Sequence, residues 1–188
     1  MKVYFAIPIP VSVRKGVSFL LLLFIVRTAN AQPLRRLTVG DFQGAPKYNN
    51  QGTIAYTNCS IDFKYQAFRE RGYYSLNFDI QLTLNTNKSW LDKSRVISPQ
   101  MLAEILNHEQ GHYDIAYLEQ RELMHAVSKT VFHEDYRRIA QNIFDRIDAK
   151  YKQRNLDYDA DTGHMLNRVQ QHSWDVYFKK ELGLIQPE

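Results

Sequence analysis

The 188-residue chain has a single cysteine, Cys59, so no disulfide can form within it. That excludes a stapled mini-scaffold, and an exported domain of this size can be stable without one. Cys59 sits in an alternating strand pattern, which reads as a small buried apolar residue and not as a catalytic thiol. Internal repeats and low-complexity tracts are also missing. An excess of one charge is missing as well, once position is considered. The whole chain has 24 Lys+Arg against 20 Asp+Glu, a net of +4. Four of the cations, Lys2, Arg14, Lys15 and Arg27, lie in residues 1–31, which contain no acidic residue. Residues 32–188 therefore carry 20 against 20. A neutral chain gives no reason to expect nucleic acid or any obligatory polyanion as partner.

The last absence is a long hydrophobic run. Val17 to Val26 (VSFLLLLFIV) is about half the roughly 20 apolar residues that a membrane span needs, and Arg27 ends it. It follows the basic pair Arg14-Lys15 and precedes Ala29-Asn30-Ala31. Basic region, short apolar core and small-x-small site describe a secretory signal peptide, cleaved near Ala31. No cysteine stands directly after the core, so nothing supports a lipoprotein anchor. The expectation is an exported protein, periplasmic or secreted, touching a membrane only through its leader. Residues 32–188 would form one domain with a real core.

Two hydrophobic periods divide that domain. Residues 37–52 (LTVGDFQGAPKYNNQG) read as a short strand and loop. Ala55, Cys59, Ile61, Phe63 and Tyr65 then alternate with polar neighbours, as do Tyr74, Leu76, Phe78, Ile80, Leu82 and Leu84. RERG, residues 69–72, supplies the turn, with Gly72 free to take positive φ. From Ser98-Pro99 the period changes to three and four. Ser98 serves as N-cap and Pro99 as first-turn residue of a helix reaching about Lys129. A second helical stretch covers 134–153, NLDYDADTG (155–163) reads as a loop, and a third helix runs from about His164 to Leu182. Strands first and helices after predict an α+β fold: an N-terminal antiparallel hairpin or small sheet followed by three helices.

The first helix carries NHEQGH, residues 107–112, in which His108, Glu109 and His112 form H-E-x-x-H. Residues four apart share a helix face about 6 Å apart along the axis, so both imidazoles can reach one zinc ion at about 2.1 Å. Glu109 then projects beside the metal, suited to take a proton from a bound water. A third ligand is expected. Glu119 is on the face of His112 but about 10 Å along the axis, out of reach, and His125 is farther. The extended motif with Gly three and His six residues after the second His fails, because Ile115 and Leu118 stand there. Glu134 is more simply an acidic residue at a helix N-terminus. His133 reads as an exposed polar residue, and His172 as structural. YDADTGH, residues 158–164, is the better source. His164 is the first choice. Asp159 and Asp161 are alternatives, although Asp161 also suits N-capping of the third helix.

These blocks resemble a bacterial family. LTVGDFQGAP (37–46), LNHEQGHYDIA (106–116), and YDADTGH with Gln171 and Trp174 beyond it are similar to the secreted proteins grouped as the domain-of-unknown-function family DUF 922, described as zinc-dependent proteases. The resemblance covers nearly all of residues 32–188. One departure is Met165, where a small residue would follow the histidine of the second block. The resemblance implies that His108, Glu109 and His112 belong to the site, with Tyr158, Asp159, Thr162 and His164 as a second block.

The expected protein is then a zincin-like metallopeptidase domain spanning 32–188. Zn2+ would be held by His108, His112 and His164, and Glu109 would be the general base. Tyr158 would donate to the oxyanion, with Tyr113 as runner-up. Its partner would be a peptide or protein substrate. Asp114 would orient a ligand or face solvent. The alternative is a non-catalytic zinc-binding or structural module of the cell envelope, which a closed four-ligand site would favour over an open one.

Overall fold

A computed structural model describes residues 34–47 and 53–183 of the chain. The expected signal peptide, residues 1–31, lies outside the described residues. The domain is α+β. Two short strands, β1 (Ala55–Tyr56) and β4 (Trp90–Leu91), pair antiparallel, and between them in the chain lie the two arms of a long hairpin, β2 (Cys59–Arg69) and β3 (Tyr74–Leu84). Three helices follow: α1 (Pro99–Ser128), α2 (Tyr136–Thr162) and α3 (Arg168–Glu181).

The hairpin follows its period-two pattern through eleven paired positions, from Cys59↔Leu84 to Arg69↔Tyr74. Ile61, Phe63 and Tyr65 meet Leu82, Ile80 and Phe78 on the inner face, while Asp62, Lys64 and Gln66 meet Gln81, Asp79 and Asn77 on the wet one. Gly72, at φ 86°, turns the chain at the tip. Ala55 belongs to a different ribbon from Cys59 because the chain bends at Thr57-Asn58. There the buried Ser89 Oγ accepts from Asn58 N at 2.9 Å, and Asn58 O accepts from Asn85 N at 2.8 Å. Residues 37–47 form no strand. Val39–Asp41 is a 3-10 turn closed by Asp41, whose carboxylate accepts from Thr38 N at 2.7 Å and pairs with Arg35.

Helix α1 is the axis of the fold. Ser98 caps it by accepting from Met101 N at 3.1 Å, and Pro99 occupies the first turn. From His108 to Gln120 every residue except His112 is buried. A helix covered all round must satisfy its polar side chains internally. Gln110 does so by accepting from Leu37 N (2.8 Å) and donating to Arg35 O (3.0 Å), which ties the N-terminal segment to α1. Gln120 donates to Ile80 O at 2.9 Å and holds the hairpin. One apolar cluster joins Ile115, Leu118 and Leu123 to Ile80, Ile147 and Phe178; a second joins Ile105, Tyr113 and Tyr117 to Leu37, Leu82 and Leu91.

Helices α2 and α3 depart from the sequence expectation. NLDYDADTG is not a loop, for α2 continues without a break to Thr162. Nothing in that stretch stops a helix before Gly163, which ends it in the left-handed conformation at φ 54°. The third helix accordingly starts later, at Arg168, and its N-cap is Asn167, which accepts from Gln170 N at 3.2 Å, not Asp161. The two long helices approach closely at one point. Tyr158 of α2 lies against Gly111 of α1, and a Cβ at 111 would stand 2.3 Å from the Tyr158 hydroxyl oxygen. In an open helix Gly→Ala stabilises by about 1 kcal/mol. Here the sign reverses: Gly111→Ala is expected to destabilise by about 1–3 kcal/mol through overpacking, measured as a lowered midpoint in urea unfolding.

Candidate metal centre

The continuation of α2 puts Asp159 where the loop expectation put His164. One residue past Tyr158, Asp159 turns its carboxylate to the two histidines of α1. Its Oδ1 lies 3.2 Å from His108 Nε2 and 3.1 Å from His112 Nε2. The donor atoms of His108, His112 and Asp159 all fall within 4.8 Å of one another. His164 adjoins the group from the outside: its Nδ1 is 3.2 Å from the same oxygen, while its side chain is 47% exposed. Asp159 Oδ1 is thus buried among three imidazole nitrogens and yet makes no hydrogen bond. An orphaned buried oxygen ringed by nitrogen donors suits a shared cation, since lone pairs aimed at one centre are not aimed at each other. The donor set, two imidazoles and a carboxylate, is one that zinc accepts.

Each member is held from behind. His108 Nδ1 lies 3.2 Å from Gln171 Oε1, and its ring stacks on Tyr158 with centroids 4.8 Å apart. His112 Nδ1 lies 2.8 Å from Asn155 Oδ1. The buried Glu109 accepts from Thr57 Oγ1 at 2.6 Å, so β1 and α1 fix its carboxylate together. The group opens on a cavity of about 630 Å³, where His108, Glu109, His112 and Asp159 face Tyr56 and Trp90. His164 and Met165 line the same cavity. Both have positive φ, 51° and 79°, directly after Gly163.

The other expected residues lie elsewhere. Tyr158 does not line the cavity. Its side chain is fully buried behind the site, its hydroxyl donating to His108 O (3.0 Å) and accepting from Gln171 Nε2 (2.8 Å). Its one proton is directed to His108 O, and the ring packs behind the site. Thr162 is buried beside it and donates to Tyr158 O at 2.6 Å. Tyr113 is buried in the second apolar cluster, and Asp114 accepts from Gln110 at 2.8 Å away from the cavity. Glu134 stands at the hairpin tip with Arg69 and Tyr74, and Asp161 accepts from Trp174 Nε1 at 3.0 Å. His125, His133 and His172 are exposed. Burial, aided by Glu109 and Glu119 nearby, pushes the Cys59 thiol up to about 12, so it is no nucleophile. Thr57, Asn155 and Asp175 were not legible as site residues. Asn155 and Asp159 are four apart and share a helix face, but only once α2 runs through them.

An α+β domain with a His–His–Asp donor cluster at the wall of an open cavity is the class that fold and site define. Residues 27–165 match the family model described as bacterial protein of unknown function (DUF922), and the chain belongs to that family. No curated protein and no solved structure matches it.

The electrostatics of the cluster can be measured without a metal. Burial works to lower the His112 pKa, but the Asp159 carboxylate and the charge of Glu109 outweigh it and hold it at about 9, against an ordinary 6.5. Burial alone would raise Asp159; the imidazoles of His108 and His112 hold it well below the usual carboxylate range instead. A raised imidazole stabilises the fold fully below its unfolded value, and the gain is lost as pH rises through the folded one. Metal-free protein is therefore expected to lose stability between pH 6.5 and about 9. On the acid side, the depressed carboxylate loses its contribution as pH falls below about 4. Asp159→Asn should bring the His112 titration down toward 6.5, read by NMR of the ring protons.

Proposed function

We propose that this protein is a zinc-dependent peptidase whose ligands are His108 Nε2, His112 Nε2 and the Asp159 carboxylate. The observation that carries the reading is the convergence of those three groups on one point, with Glu109 beside them and an open cavity in front. A bound zinc ion supplies a Lewis acid that polarises a carbonyl and lowers the pKa of a water. Glu109, oriented by Thr57, takes the proton of the attacking water and passes it to the leaving amine. His164, on the cavity wall, hydrogen-bonds the negative charge that develops on the carbonyl oxygen, the part that Tyr158 is too buried to play. Tyr56 and Trp90 line the side on which a peptide would lie. The open cavity favours catalysis over a purely structural metal, for which a closed four-ligand cage is the rule.

The purified protein is expected to hold one zinc per chain by elemental analysis. Glu109→Gln should retain the metal while peptide hydrolysis falls by about 10²–10⁴-fold, the usual contribution of a general base. Zinc retention without hydrolysis in the unmodified protein would instead leave a binding module. Asp159→Ala should abolish tight zinc binding. His164→Ala should spare affinity and lower kcat; loss of affinity in that variant would return His164 to the ligand set.

A further inference from the structure

Both histidines of the pair meet a carboxamide at Nδ1, and each carboxamide is itself locked. Gln171 Nε2 donates to Asp175 Oδ1 at 2.9 Å and to the Tyr158 hydroxyl oxygen at 2.8 Å. Neither contact works with the amide reversed. A carboxylate can only accept, and the single proton of Tyr158 is already directed to His108 O at 3.0 Å. Asp175 is held in turn by Asn107 Nδ2, 3.1 Å from each of its oxygens. The amide oxygen of Gln171 therefore faces His108 Nδ1. An acceptor there requires a proton on Nδ1, and in the neutral ring this leaves Nε2 bare, on the side of Asp159. The same logic repeats on α2. Asn155 Nδ2 donates to the carbonyl of Tyr151 at 3.2 Å, so Oδ1 faces His112 Nδ1, and the bare Nε2 again points to Asp159.

We propose that Gln171 and Asn155 are positioning residues that select the Nδ1–H tautomer of His108 and of His112, so that each ring, once neutral, presents Nε2 to a divalent cation, with Asp175 and Tyr158 keying the Gln171 amide. The two clamps come from different helices, α3 for His108 and α2 for His112, while both histidines ride on α1. The site is thus oriented by all three helices together. A neutral imidazole in free exchange divides itself between tautomers, and only one of them offers Nε2. Fixing that choice in the folded protein removes an ordering step from metal capture. The tautomer assignment stands on the hydrogen-bond network alone; only its effect on affinity rests on the metal-binding reading above.

The test uses full-length protein labelled with 15N in its histidine rings. Long-range proton–nitrogen spectra of the metal-free protein, taken well above pH 9 so that His112 has given up its second ring proton, report the tautomer directly. The expected result is Nδ1–H at both His108 and His112. A mixture, or Nε2–H at either ring, overturns the proposal. In Gln171→Met the His108 signal should become a mixture while His112 is unchanged, and zinc affinity by chelator competition should fall about 10–100-fold. Asn155→Leu should do the converse. The double variant Gln171→Glu/Asp175→Asn, which keeps an acceptor opposite His108 Nδ1 and a donor opposite residue 171, should restore the Nδ1–H signature, which a merely packing role would not produce. Unchanged tautomer and affinity in Gln171→Met would refute the role of Gln171. Should that variant fail to fold, the spectrum of the unaltered protein still decides. Wild-type protein with both rings in the expected tautomer but no affinity for zinc would uphold the clamps and reject the metal reading.

Discussion

The missing side chain at position 111 is the constraint on which the site depends. Because Gly111 has no Cβ, the Tyr158 ring can lie directly on α1, stacked on His108 and bonded to its carbonyl. That contact fixes the height and rotation of α2 against α1. Asp159 is the next residue, and so its carboxylate falls between two imidazoles spaced one helical turn apart. No loop has to fold back to deliver the third group; two helices meeting at a defined register deliver it. The five residues of HEQGH are then all accounted for. Positions 108, 109 and 112 face the cavity, Gln110 anchors the N-terminal segment, and Gly111 admits the tyrosine.

The same helix illustrates how a polar stripe survives burial. An unpartnered buried polar group costs about 1–3 kcal/mol, so a helix carrying Glu109, Gln110, Asp114 and Gln120 inside a core would unfold the domain without partners. Most of those partners come from remote parts of the chain: Thr57 for Glu109, Leu37 and Arg35 for Gln110, Ile80 for Gln120. The long polar contacts thereby double as topology, since each pins one N-terminal element to α1. Among the described residues the exception is Asp159 Oδ1, on α2, and it is the group with a proposed use for its lone pairs.

How much of this was legible in the residues follows from the range of the interactions. The hairpin alternation and the start of α1 are local: side-chain period, a Ser N-cap, a first-turn proline and a turn glycine specify them, and they stand where expected. His108, Glu109 and His112 were equally legible, because four-residue spacing on a helix is a local fact. The third group was not. Asp-rich NLDYDADTG has weak intrinsic helix preference and reads as a loop in isolation, whereas packing of Tyr151 and Tyr158 into the core carries α2 through it. The helix brings Asp159 to the imidazole pair and seats Tyr158 behind it, whereas a loop there favours His164 at the pair and Tyr158 in the cavity. The N-terminal 3-10 turn was lost for a related reason: it is closed by the Asp41 side chain, and hydrophobic period says nothing about such a closure. Gln171 and Asp175 were invisible in their roles because His108, Tyr158 and Asn107, which they meet, lie on other helices.

The corner that follows α2 has a consequence for how the molecule comes apart. Gly163, His164 and Met165 occupy the left-handed region one after another, and the latter two bear side chains, which costs roughly 1–2 kcal/mol apiece. An energetic debit concentrated in a mostly solvent-facing reversal lowers the threshold for local opening relative to the helices on either side. Amide protons at this bend should thus exchange ahead of those in α1. The imidazole at 164 rides on that bend, whereas the paired imidazoles ride on α1.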